Sequence, residues 1–201
     1  MKDNYRKIAA NNLARLYADL PQDLAANLPA QRQGNRFQFK AFGRPCTISP
    51  DGINLEGQQM SSVFEILISL YALNANPEIC ILVPFKAFKE LPGTAPYVGA
   101  FTTHTEGILV PHVEAIKARR KNIVDTLGSP EAVQEPGGDF ALVVHPLPKI
   151  ALCYIFYGAD EDFPASVTCL FSANAHRFLP VDGLADVGEY TSRAILGIIN
   201  Q

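Results

Sequence analysis

The chain has 201 residues, 48% of them hydrophobic and 18% charged, with a formal net charge of −3. That length suits one α+β-sized domain over residues 1–201 and should bury roughly 70% of the surface the unfolded chain exposes, enough for a self-sufficient core. The mild acidity argues against a dedicated nucleic-acid binder, which usually carries a basic surplus.

The first twenty residues are polar and amphipathic, unlike a secretory leader, and the longest apolar run, 63–73, is too short to span a bilayer and contains Glu65. A soluble, cytoplasmic chain with no membrane and no nucleic-acid partner is expected. In residues 3–20, Tyr5, Ile8, Ala9, Leu13, Leu16, Tyr17 and Leu20 recur at helical spacing, with Asp3 as N-cap and Pro21 as stop. An alanine-rich connection follows, with one more helical turn over 23–28. The period then changes to two. Phe37, Phe39 and Ala41 alternate with Arg36, Gln38 and Lys40; Cys46 and Ile48 continue after a turn at Gly43-Arg44; Asp51-Gly52 leads into Ile53 and Leu55. This predicts a meander of three antiparallel strands.

Residues 59–74 are apolar nearly all the way round a helix, as in a helix buried in the middle of a domain. Residues 80–85 read as a brief strand and 85–93 as a short helical turn and a loop, while 94–109 has no clean period. Pro111 opens a helix through Leu127, with Val113, Ile116, Ile123, Val124 and Leu127 inward and the basic run Lys117, Arg119, Arg120 and Lys121 mostly on the solvated face. Gly128 stops it, and 130–138 is a loop.

The densest apolar sequence runs from Asp139 to Phe171 and reads as three strands, 140–145, 150–157 and 167–171. All are apolar on both alternating faces, which predicts strands covered on two sides. A hairpin centred on Glu161 would set Cys153 opposite Cys169. A short element over 172–179 precedes a last amphipathic helix, capped by Asp182, with Leu184, Val187, Thr191, Ala194, Ile195 and Ile198 inward. The element order lacks strict β–α alternation. The expected class is therefore α+β: a mixed, largely antiparallel sheet with the N-terminal meander, the buried central helix and amphipathic helices packed on the sheet.

Chemistry has few footholds. Cys46, Cys80, Cys153 and Cys169 lack metal-site spacing and read as small buried hydrophobes. Asp160, Glu161 and Asp162 form an acidic loop bounded by Gly158 and Pro164, able in principle to offer oxygen ligands to a hard cation, though a solvated turn explains it as well. His104, His112, His145 and His176 show no paired-ligand spacing. There is no nucleophile elbow, no phosphate-binding glycine loop and no cysteine cluster for an iron–sulfur centre.

In their succession, several pieces carry a resemblance. These are Asp51-Gly52, Phe85-Lys-Ala-Phe-Lys-Glu-Leu-Pro-Gly93, Gly138-Asp139, Pro146-Leu-Pro-Lys-Ile-Ala-Leu152, Gly158-Ala-Asp-Glu-Asp-Phe-Pro164, Leu170-Phe171 and Leu179-Pro180. With them the chain resembles the domain of unknown function 3786 family, found mainly in anaerobic bacteria and archaea, some of whose members are labelled iron–sulfur proteins. Ser172 stands where that pattern has an aspartate, and no cysteine-rich module is present. The resemblance implies an α+β domain and supplies no catalytic residues and no cofactor.

The expected function is a small-molecule or cofactor binding module in anaerobic metabolism. Its pocket would be drawn from Lys86, Lys89, Glu90, Tyr97 and His104 beside the acidic loop Asp160, Glu161 and Asp162. Two alternatives stand beside it: a metal-dependent enzyme using Asp160, Glu161 and Asp162 with His104 or His145, and a subunit acting through a protein partner.

Overall fold

The computed structural model describes residues 2–57, 59–128 and 137–201, the side chains of residues 2–4 excepted. Helix α1 (Lys2–Ala18) begins before Asp3 and ends ahead of Pro21. A single turn, α2 (Leu24–Asn27), leads into a meander of β1 (Gln31–Gln33), β2 (Arg36–Ala41), β3 (Arg44–Ser49) and β4 (Gly52–Leu55), each antiparallel to the next. The sequence shows three of these strands. The extra one, β1, is an edge strand whose residues Gln31, Arg32 and Gln33 are all exposed, so it has no apolar alternation to betray it. In β2 the alternation holds: Phe37, Phe39 and Ala41 are buried and their neighbours exposed.

Helix α3 (Ser62–Leu73) starts where Ser61 Oγ accepts from the Phe64 amide at 3.2 Å. None of its residues is exposed, as the all-round apolar pattern requires. Helix α1 lies along it through Leu13 and Leu16, and Asn12 Nδ2 donates to Ser69 Oγ at 3.0 Å within the contact. Phe39 of the meander meets Tyr71 at 5.8 Å between ring centres.

The strand expected over 80–85 forms no ladder. Instead the Asn174 side chain takes the Ile81 amide at 2.9 Å and donates to the Ile79 carbonyl at 2.8 Å. Pairing starts only at β5 (Lys86–Ala87), after Pro84, which has no amide hydrogen to give. Ile79, Ile81 and Val83 are left 76%, 49% and 58% exposed.

The aperiodic stretch is helical after all. A 3₁₀ turn (Ala95–Tyr97), α4 (Val98–Phe101), a π turn (Thr102–Glu106) and a second 3₁₀ stretch (Gly107–His112) follow one another without a break. Each change of helix type changes the side-chain spacing, which erases the period. Helices α5 (Val113–Ala118) and α6 (Arg120–Leu127) replace the single expected helix, parting at Arg119. The loop expected over 130–138 falls mostly outside the described residues.

Strands β6 (Phe140–Leu147), β7 (Ile150–Tyr157) and β8 (Ser166–Phe171) complete a second antiparallel sheet in the order β5–β8–β7–β6. The α+β class stands, built on two antiparallel sheets rather than one mixed sheet. The hairpin register differs by one residue from the expected one. Tyr154 faces Cys169 and Cys153 faces Leu170, so the two cysteines lie on opposite faces and cannot be cross-strand partners. Leu152, Tyr154 and Phe156 join the main core with Val167, Cys169 and Phe171, whereas Cys153 belongs to a smaller cluster with Ala141 and Val143 on the other face. Strands β6 and β7 are buried on both faces as expected; β8 alternates, with Ser166 and Thr168 exposed.

A break in register between Val144 and Leu147 leaves the Pro146 carbonyl out of the ladder, and it accepts the Phe42 amide at 2.7 Å, joining the two sheets. Helix α7 (Val181–Ile199) has Pro180 at its N-cap position and Asp182 inside the first turn, not at the cap. Its buried face, Leu184, Val187, Thr191 and Ile195, crosses the inner face of β7, where the Tyr154 hydroxyl meets Ser192 Oγ at 3.0 Å. Gly188 permits a close approach of α7 to α4 and the π turn: a Cβ there would stand 2.5 Å from the Phe101 ring.

Candidate functional site

The residues singled out in the sequence fall into separate places. Asp160 Oδ1 accepts the amides of Asp162 at 2.9 Å and Phe163 at 2.7 Å, and the Asp160 amide reaches the Phe163 carbonyl at 3.0 Å. One carboxylate of the acidic loop is thus committed to closing its own turn. Glu161 and Asp162 are exposed. Lys86 pairs with Phe171, at the opposite end of β8 from the acidic turn, about 17 Å along the strand. Glu90 Oε2 accepts the Ala87 amide at 2.6 Å, so it too serves a turn. Lys89, Tyr97 and His104 are exposed, on the 3₁₀ and π turns between β5 and α5. Between these turns and β8 the space is filled by Phe88, Phe101 and Phe171, with Phe88 stacked on Phe101 at 4.2 Å. Among the described residues no group of three or more His, Cys, Asp or Glu is placed to hold a metal ion.

Under α7 lies a buried polar network that the sequence did not single out. Ser192 Oγ donates to the Thr105 carbonyl at 2.8 Å and meets the Tyr154 hydroxyl, while Glu106 Oε1, from the π turn, accepts the Cys169 amide at 2.9 Å. Burial pushes the Cys169 thiol and the Tyr154 hydroxyl well up and raises the Glu106 carboxyl. A thiol held protonated in this way is a packing group, not a nucleophile. Ser172 is fully buried; its hydroxyl accepts the Ala151 amide at 3.2 Å without bringing a charge into the core.

A wide concavity lies elsewhere. A cleft of about 790 Å³ opens between α6, α7 and the β2–β3 turn, a volume that suits an organic ligand. Helix α7 supplies Tyr190, Arg193, Ala194, Gly197 and Ile198, which recur every three to four residues and form one stripe. Helix α6 supplies Asn122, Asp125 and Thr126 from a polar face, with Arg119 at the point where α5 and α6 part. The turn supplies Phe42, Gly43 and Arg44.

That turn is tight. Only two residues join β2 to β3, and both have positive φ, +48° at Phe42 and +80° at Gly43, as a two-residue hairpin turn of the primed kind requires. Holding a phenylalanine there costs about 1–2 kcal/mol. Burying its ring offsets this by about 1.5–3 kcal/mol: Phe42 packs on Phe64 at 5.5 Å and on Tyr190 at 5.9 Å. Gly43 has no such latitude, because a Cβ would stand 2.8 Å from the Thr126 carbonyl of α6.

Tyr190 is held from several sides. Its ring meets Phe64 edge-on at 5.4 Å, its hydroxyl shares a 2.5 Å hydrogen bond with Ser61 Oγ, and burial raises its pKa. The guanidiniums differ in their engagements. Arg193 pairs with Glu189 at 2.7 Å, Arg44 Nη1 reaches the Glu56 and Gly57 carbonyls at 3.4 and 3.3 Å, and Arg119 makes no ion pair among the described residues. Of the basic run assigned to a solvated face, Arg119 turns out to line the cleft. Its signal was the helix break, which sequence periodicity did not show.

Two antiparallel sheets with helices packed around them, and an arginine-lined cleft at one end of the last helix, define an α+β protein whose described residues include no helix long and apolar enough to cross a membrane. The profile described as Domain of unknown function (DUF3786) matches residues 20–194, most of the chain, and the protein belongs to that family. The matched span takes in both sheets; α1 and the last turn of α7 lie outside it. No curated protein and no solved structure matches the chain.

Proposed function

We propose that this protein is a small-molecule binding module whose ligand is an organic anion held in the cleft between α6 and α7. The observation that carries the reading is the convergence of Arg44, Arg119 and Arg193, from three different elements, on one 790 Å³ concavity with an aromatic wall. The lining sets three guanidiniums against one carboxylate, Asp125, in a chain whose net charge is negative, a local excess of positive charge that attracts anions.

The test is a titration of ¹⁵N-labelled protein with inorganic phosphate and with citrate, followed through amide shifts. Shifts confined to α6, the end of α7 and the β2–β3 turn, and lost in the Arg119→Ala/Arg193→Ala double variant, are the expected result. Shifts scattered over the surface, or none at millimolar anion, defeat the reading.

A second reading, a subunit that works through a protein interface, draws support from the exposed strip Ile79, Ile81 and Val83. Sedimentation velocity separates the two: a concentration-dependent dimer abolished by Ile79→Ser/Ile81→Ser favours the interface.

A further inference from the structure

The cleft has walls of three chemistries, and together they narrow the ligand. We infer that it receives a phosphate ester carried on one flat ring system, the chemistry of a nucleoside monophosphate. This rests on the anion-binding reading above and specifies its ligand.

The ring is argued from α7. Tyr190 is braced by Phe42, by Phe64 and by its hydrogen bond to Ser61, so a molecule stacking on it has no side-chain freedom to freeze. One and two turns further along the same stripe come Ala194 and Gly197, and a Cβ built on Gly197 would meet nothing within 4 Å. The strip over Ala194 and Gly197, between Arg193 and Ile198, is therefore bare, a bed for a planar group of one or two fused rings. An aliphatic anion would leave this wall uncovered.

The phosphate is argued from the cations. All three basic side chains in the lining are arginine, with no lysine among them. Planar guanidinium forks match tetrahedral or planar oxyanions with paired hydrogen bonds, where a lysine would act as a point charge. One carboxylate is satisfied by one fork, whereas a phosphate monoester offers three terminal oxygens to several. Opposite the bare strip, Asn122, Asp125 and Thr126 present a mixed row of donors and acceptors, the groups that recognise the polar edge of a heterocycle.

The experiment is calorimetry and amide-shift mapping on the full chain, with AMP, GMP, CMP, UMP, adenosine, ribose 5-phosphate and citrate as probes. At least one of the four nucleotides should bind about tenfold or more tightly than either adenosine or ribose 5-phosphate, since only the nucleotide uses both walls. Its shifts should map to Arg119–Thr126 and to Tyr190–Ile198. Gly197→Leu fills the bare strip while improving helix propensity, so it should abolish nucleotide binding with the fold intact and the unfolding midpoint unchanged or raised. A nucleotide that binds no better than ribose 5-phosphate, or that binds Gly197→Leu as well as the parent, overturns the inference. Citrate shifting the cleft when none of the nucleotides does so overturns it too, yet leaves the anion reading in place. Failure of every probe to shift the cleft overturns both.

Discussion

The acidic turn at 160–162 and the arginine cleft are both concentrations of like charge, and they are built in opposite ways. In the turn, three carboxylates come from adjacent positions; one is consumed by two backbone amides and the others face solvent. In the cleft, three guanidiniums come from positions 44, 119 and 193, on a hairpin, a helix junction and a helix. Neighbours in sequence on a tight turn splay apart, since their backbone directions diverge. Residues distant in sequence can be aimed at one volume by the elements that carry them. A run of charge in a sequence therefore says little about a site, while a scattered set says nothing until the fold is known.

The comparison can be broken most severely at Gly43, the point where the turn presses on α6. Gly43→Val adds a β-branched side chain at φ +80° and a contact of 2.8 Å with a backbone carbonyl. A loss of about 3 kcal/mol is expected in urea unfolding, and retention of parental stability would show that the turn is free to move away from α6.

A paired set of variants sharpens it. Arg119→Ala should leave stability within about 0.5 kcal/mol, because the side chain is exposed and makes no ion pair among the described residues. It should also weaken the best-binding nucleotide about tenfold. Asp160→Ala should do the reverse, costing about 1 kcal/mol, as the loss of a helix cap does, with no change in ligand affinity. If Asp160→Ala weakens binding and Arg119→Ala does not, the roles of the two regions are exchanged.

An effect confined to one pH range concerns the carboxyl one helical turn before Tyr190. Burial, then Glu189 and Asp182, raise the Asp186 pKa from 3.8 to about 6. The folded state thus holds the proton more tightly than the unfolded chain. Stability is full below the unfolded value and falls as pH rises through about 6. After discounting for partial exposure, Asp186→Asn should gain about 1 kcal/mol above that pH, and nothing below about pH 4. Parallel pH–stability curves for variant and parent would show that Asp186 is solvated.

Where one face of an element is wet, the sequence showed it plainly. The alternation of Phe37, Phe39 and Ala41 located β2, and the continuous apolar circumference of α3 marked it as central. Where both faces are buried, the sequence lost its sense of direction. In β7 every position from Ile150 to Phe156 is apolar, so a one-residue slip costs nothing visible, and the register read from the sequence differs from the observed one by that one residue. The useful signal lay in β8, where Ser166 and Thr168 alternate with Val167, Cys169 and Phe171 and so mark its core face. Matching that face to the bulkier side of β7, Leu152, Tyr154 and Phe156, selects the observed pairing. The cleft was illegible for a different reason. Its arginines and its α6 residues are polar positions that carry no periodic signal, Ala194 and Ile198 read as part of the inward face of α7, and Arg119 owes its place to a break in a helix that reads as continuous.

Hairpin tips ordinarily fray first and surrender their amide protons to solvent soonest. The tip at Phe42-Gly43 is an exception, because the Phe42 amide is held at 2.7 Å by the Pro146 carbonyl of the second sheet. A proline has no amide hydrogen of its own, and here its carbonyl serves a neighbouring sheet instead of its own ladder. Hydrogen exchange at Phe42 should therefore keep pace with the interior strands β6 and β7, giving this end of the cleft the lifetime of the core.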